Sequence, residues 1–442
     1  MFDPPTGSIV RSPQHSGNEP TPPICQREPF LTTTPSNQSP APLGSVLAVT
    51  FILSIGTGSL THGLGFIAKH SAGFERTALF GLGVVFGVTY IFSSRLTGPI
   101  VRSLESNPKS SISPRSLLML ITLAGAIVSA VPLILGQLQL ATDLGFWIVA
   151  AGYGGLTGIM WPLVEWNIAG GRRGKPLRSA AGQFNIVWTT AVVLSFWLIG
   201  PTLEHNPQAA FVGIVVLHLI AIGLMIPFPA KPPKHLTDTL EPDAPNSKHL
   251  LTAARALLPV SYTLAGVLGP FFPIAMFTMN IDLAWQTIIV SVWMTTRIPT
   301  MVLLERWHGW HGKAWPLVVG GLAVVIGFAG CVIAPALTEP RTGLVVLISA
   351  LALFGAGKGL VYTAAIYYAM EVGQGEIDSG ATHEALIGVG YTLGPAIGLL
   401  ASVAVAVNFI PDSGFTPLLL GAAAIGSLGL GGAIVAYSLR KS

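Results

Sequence analysis

Past residue 43 the chain is a succession of long apolar stretches separated by short polar ones. No Asp, Glu, Lys or Arg occurs between Glu28 and Lys69, Arg115 and Asp143, Asp143 and Glu165, or Arg178 and Glu204. The same holds from Glu204 to Lys231, Arg255 to Asp282, Lys313 to Glu339, Glu384 to Asp412, and Asp412 to Arg440. A hydrocarbon core of ~30 Å takes about 20 helical residues to cross, and each stretch supplies them. Adding Arg76 to Arg95 and two stretches with one cation each, the pattern predicts an all-α membrane protein of about twelve helices. Strands of a membrane barrel would alternate polar and apolar positions, which these stretches do not.

Composition agrees. Of 442 residues 51% are hydrophobic and only 10% are charged, against about 25% charged in a typical soluble domain. Mean hydropathy is +0.66. So few charges cannot coat a soluble surface of this size, which excludes a globular enzyme. The net charge of +4 forms no basic patch, so no nucleic-acid partner is expected. Cys25 and Cys331 are too few for a disulfide framework, and no CxxC or HExxH spacing occurs, so neither metal nor cofactor is expected.

The cations instead report orientation. With a cytoplasmic N-terminus, the inside loops carry sixteen Lys and Arg and the outside loops three. That asymmetry predicts cytoplasmic termini in a multi-pass protein of the cell membrane. Residues 1–43 hold ten prolines among Ser, Thr, Gln and Asn, a composition read as a disordered cytoplasmic tail without a secretory signal. Residues 231–250, rich in Pro and charge, read as a cytoplasmic linker. It divides a first half (44–230) from a second (251–442), each of six helices, the layout of transporters built from two parallel repeats.

Two stretches carry the family resemblance. Gly359 to Gly398, GLVYTAAIYYAMEVGQGEIDSGATHEALIGVGYTLGPAIG, resembles the span 10–loop–span 11 signature of bacterial members of the major facilitator superfamily, with Gly390, Gly394, Pro395 and Gly398 closing it. Met160 to Val192 is similar to the family's span 4–loop–span 5 region, including Phe184, Asn185 and Trp188. The resemblance implies alternating access by two rocking halves, with spans 1, 4, 7 and 10 around a central path. It departs where members carry a charged latch after span 2. Here SSRLTGPIVRS has no carboxylate until Glu105, while Glu305 and Arg306 after span 8 come closer to the pattern.

An ionisable residue at membrane depth costs about 2.5–3.5 kcal/mol on insertion scales and is a functional candidate. Arg297 and Lys358 fall mid-way along spans 8 and 10. Glu165 and Glu384 map to cytoplasmic helix ends, so no midplane carboxylate balances these cations, and an anionic substrate with a carboxylate or phosphate is expected to do so. His62 in span 1 is a candidate proton carrier, while His218 reads as a satisfied structural histidine. Trp188, Trp293, Tyr262, Tyr362 and Tyr391 are candidate cavity aromatics, with Gln183 and Asn185 as polar contacts. Glu165, Glu305, Arg306, His383, Glu384 and the Gly390, Gly394, Pro395 and Gly398 set are candidates for gating. Gly355 to Gly359 imitates a phosphate loop but falls inside a membrane helix. The expectation is a monomeric transporter of a small solute, driven or not by a coupled proton or ion. A sugar or drug transporter, or a non-transporting sensor on the same fold, are the alternatives. An enzyme is not expected, since no nucleophile–base pair is found.

Overall fold

In a computed structural model, residues 39–439 are described except 108–110, 141, 173, 234–246 and 374–376. Residues 1–38 of the expected tail and 234–246 of the linker lie outside the described residues. Twelve helices are long and apolar enough to cross a membrane, and no strand occurs among the described residues. They are span 1 (Leu43–Thr61), span 2 (Arg76–Ser106), span 3 (Pro114–Gln137), span 4 (Asp143–Ala169), span 5 (Lys175–His205) and span 6 (Pro207–Leu224). The second set comprises span 7 (Ser247–Thr278), span 8 (Leu283–Arg306), span 9 (Trp315–Ala336), span 10 (Pro340–Ala369), span 11 (Ile377–Ala406) and span 12 (Asp412–Tyr437).

Local sequence fixes several ends. Pro114 and Pro207 stand in the first turns of spans 3 and 6, where no helical N–H is needed. Ser113 and Asn206 cap those turns by accepting from the Ser116 and Gln208 amides, each at 3.1 Å. Span 1 ends at His62–Gly63 and the chain continues as a short helix, Leu64–Ala72, which stops at Gly73 in the left-handed region (φ 68°). Span 8 is interrupted at Ser291.

Two boundaries differ from expectation. Span 7 begins at Ser247, four residues before the expected second half, because the last linker residues add a helical turn. The stretch SSRLTGPIVRS is no loop. It forms the last turns of span 2, which runs through Pro99 to Ser106.

Both halves use one pairing scheme. Spans 1 and 5, 2 and 4, and 3 and 6 pack together in the first half, as do 7 and 11, 8 and 10, and 9 and 12 in the second. The halves meet chiefly where span 2 packs on span 11 and span 5 on span 8. Large apolar side chains such as Phe92, Leu400 and Leu428 stand exposed on the outside, a surface suited to lipid. We call the end where span 1 begins the near end and the opposite one the far end.

Candidate functional site

Between the halves lies a central cavity with about 60 Å³ of room for the centres of water-sized molecules. Spans 1, 2, 4, 5, 7, 10 and 11 all contribute to its wall. The wall is largely aromatic. Trp188 meets Tyr362 edge to face at 5.6 Å between ring centroids, and Tyr391 meets Tyr262 at 5.5 Å and Tyr90 at 5.7 Å. Edge-to-face pairs suit the ring quadrupole and hold the faces in defined orientations. Rings from spans 5, 7, 10 and 11 therefore converge, as the candidate aromatics require. Trp293 is set back. It packs on Phe354 and on the edge of His62 and does not reach the cavity wall.

Polar groups punctuate this wall. Ser54 Oγ and Thr61 Oγ1 of span 1 and Trp188 Nε1 are buried and make no hydrogen bond within the described protein. Ser and Thr in helices commonly bond back to the carbonyl one turn before, as Thr50 does to Val46 at 2.8 Å. Ser54 and Thr61 do not. Asn185 is buried with Oδ1 unpartnered but stands behind the wall rather than in it. Gln183 donates to Ser179 on its own helix at 3.1 Å and is likewise not part of the wall.

The two cations mid-way along spans 8 and 10, expected to hold an anionic solute, are fully buried and pack against aromatic rings. The Arg297 guanidinium lies 4.6 Å from the Trp188 ring centroid and 4.5 Å from that of Tyr362, beside the edge-to-face pair. Lys358 Nζ lies 3.2 Å over the Tyr262 ring and 3.4 Å from the Ser261 carbonyl. Ring faces are electron-rich and offset part of the desolvation cost of a cation. Neither cation forms part of the cavity wall. The same rings thus face the cavity on one side and shield a charge on the other. His62 does line the cavity, stacked on Phe196 at 5.7 Å.

The carboxylates correct the sequence reading in the opposite direction. Glu165 and Glu384 both line the cavity. Tyr90 donates to Glu384, and the two carboxyl groups lie close enough to act on each other electrostatically. Both stand toward the helix ends expected, Glu165 near the close of span 4 and Glu384 near the start of span 11, but their side chains turn into the cavity wall. A second, smaller hollow opens toward the near end, with about 50 Å³ of similar room, lined by spans 4, 5, 10 and 11. Glu165 and Phe184 line both spaces and form the partition between them. His383 lines the near-end hollow and meets the Tyr362 ring at 5.6 Å.

Contacts between halves close both ends. At the far end Arg76 pairs with Asp412 at 2.7 Å and lies 4.2 Å from the Phe415 centroid. Thr77 bonds Ser402 at 2.6 Å, and Trp197 donates to Ser291 at 3.0 Å. At the near end Arg102 of span 2 pairs with Asp378 of span 11 at 2.6 Å. This ion pair links the halves, and no motif announced it. Glu305 packs on span 5, its carboxyl carbon 2.7 Å from where a Cβ on Gly182 would stand, and Arg306 is exposed. Gly390 and Gly394 lie against the backbone of span 7, Pro395 against Gly83, and Gly398 against the Phe80 ring. The span 11 motif is therefore a three-helix contact with spans 2 and 7.

Other features resolve as structure. His218 bonds the Ile214 carbonyl at 2.8 Å and the Tyr153 hydroxyl at 3.0 Å, the satisfied histidine expected. A Cβ on Gly355 would fall 1.9 Å from the Trp293 carbonyl oxygen, so the phosphate-loop look-alike lets spans 8 and 10 approach. Among the described residues no group of three or more His, Cys, Asp or Glu is placed to hold a metal.

No family model matches the sequence, and no curated protein matches it. Solved structures do. The fold is similar to that of the nucleoside transporter NupG in two crystal structures. One, a single-residue variant, matches with TM-score 0.63 and 13% identity over 89% of this chain and 99% of that one. The other matches with TM-score 0.60 and 15% identity over 89% and 98%. Likeness at this identity speaks for the fold, and the chain shares the fold of those two structures, with twelve helices long and apolar enough to cross a membrane.

Proposed function

We propose that the chain moves a neutral, ring-bearing and hydroxyl-bearing solute of the nucleoside class across the cell membrane by alternating access of its two halves. The observation that carries this reading is the cavity wall. Aromatic rings from both halves converge on it, beside hydroxyl and indole groups that find no partner among the described residues. Rings of that kind stack on a planar base, and Ser54, Thr61 and Trp188 offer hydrogen bonds to sugar hydroxyls or base edges. The nucleoside transporters of similar fold agree with this class. The anionic solute first expected fits poorly, because the buried cations stand behind rings while two carboxyl groups line the wall. The sixteen-to-three cation asymmetry supports cytoplasmic termini.

Counterflow in proteoliposomes tests the reading with labelled adenosine, uridine, galactose, succinate and phosphate. Saturable exchange of a nucleoside, competed by unlabelled nucleoside, is the expected result. Exchange of succinate, phosphate or galactose with none of either nucleoside would overturn it.

A further inference from the structure

We propose that the near-end hollow is a second solute site, in series with the central cavity, which holds the flat heteroaromatic ring of a nucleoside while its sugar stays in near-end water. The inference rests on the transport reading above and adds a binding site to it. Trp166, Phe184, Ile366 and Ile377 give the hollow a mainly apolar wall, to which Glu165 and His383 add polar groups. A small-molecule site is commonly built that way, from apolar and aromatic side chains with a few placed polar groups.

His383 is the observation that points to a ligand. It is 6% exposed, and its Nε2 finds no hydrogen-bond partner among the described residues. Burying a polar nitrogen without a partner is costly, and a ligand that supplies the bond removes that cost. The imidazole already packs edge to face on the Tyr362 ring at 5.6 Å, so little ordering is left for binding to impose. Nε2 donates or accepts according to tautomer, and the edge of every nucleobase carries both donors and acceptors. One histidine therefore serves purines and pyrimidines alike.

Room and position fit the same occupant. The hollow has about 50 Å³ for water-sized centres and the cavity about 60 Å³, so the two take groups of like size. Phe184 lines both spaces and meets Trp161 of the cavity wall edge to face at 6.3 Å. It offers the hollow a ring held in one orientation, against which a base stacks. Glu165 shares the partition, so a solute moving between cavity and near end passes both side chains. A base held in the hollow is thus one step from the cavity, with its sugar on the open side.

Equilibrium binding of labelled adenosine and uridine to the purified full chain tests this. Two nucleosides per chain are expected. Ser379, half-buried in the wall of the hollow, is the place for a plug, and Ser379→Trp should leave one nucleoside per chain. Trp188→Ala should weaken the other site. His383→Phe, which keeps a ring and loses the nitrogen, should weaken the hollow site at least about fivefold. His383→Gln, whose amide again donates and accepts, should weaken it less. Binding retained at the cavity shows that each variant is folded. One nucleoside per chain in the wild type, unchanged by Ser379→Trp and weakened by Trp188→Ala, overturns the second site and leaves the transport reading intact. Two per chain in the wild type, in Ser379→Trp and in both His383 variants, at unchanged affinity, overturns the placement of the second site in the hollow. One per chain, lost in Ser379→Trp and indifferent to Trp188→Ala, supports the hollow and overturns the cavity as the solute site. No binding of either nucleoside overturns both.

Discussion

Replacing Gly394 by alanine separates packing from helix propensity at the joint between spans 7 and 11. A Cβ on Gly394 would lie 2.2 Å from the Thr263 carbonyl oxygen, 2.6 Å from the Val267 nitrogen and 2.7 Å from the Gly266 carbonyl carbon. All three are backbone atoms and cannot rotate away, so the helices must part by about 0.8 Å to restore a 3.0 Å contact. Overpacking of this kind costs about 1–3 kcal/mol. Alanine also favours helix over glycine by about 0.8–1.0 kcal/mol, which masks part of that cost. Gly431 of span 12 supplies the reference, because a Cβ there meets nothing within 4 Å. The difference between the two alanine variants isolates the packing cost. At about 2–4 °C per kcal/mol for a unit the size of one half, Gly394→Ala should melt about 2–12 °C below Gly431→Ala. The assay is the thermal denaturation midpoint of detergent-purified protein, followed by tryptophan fluorescence at one scan rate. Equal midpoints for the two variants would refute the close approach of spans 7 and 11 at this position.

Other substitutions probe the site and its joints. Trp188→Ala removes both a cavity wall and one of two rings on Arg297, worth about 2 kcal/mol for a desolvated cation–π contact. Nucleoside half-saturation in counterflow should rise at least about tenfold, with Trp188→Phe keeping most of the affinity. Asp378→Asn breaks an ion pair whose side chains are 57% and 56% exposed, so its stability cost should stay within about 1 kcal/mol. Its effect should appear instead as faster alkylation of a cysteine placed at Ser379, which lines the near-end hollow. Cys331 is fully buried, so in a Cys25→Ser background a maleimide should label the folded protein only after denaturation.

The sequence by itself determined how many helices are long and apolar enough to cross a membrane and which cations fall mid-way along them. Hydropathy is a local sum over about twenty residues, and membrane insertion responds to that same sum. The span 11 glycines and Pro395 were legible for a related reason, since close helix approach demands small residues wherever it occurs. Tertiary structure alone decided what those residues do. Arg297 and Lys358 read as ligands for an anion, and only the fold sets Trp188, Tyr362 and Tyr262 against them. Glu165 and Glu384 looked like helix-end charges until spans 4 and 11 brought them together. Likewise Arg102 and Asp378, each unremarkable in its own segment, meet across the halves. Such pairings depend on how each helix is rotated about its axis and docked on a distant partner. That depends on many packing contacts at once, and no single stretch of the chain contains it.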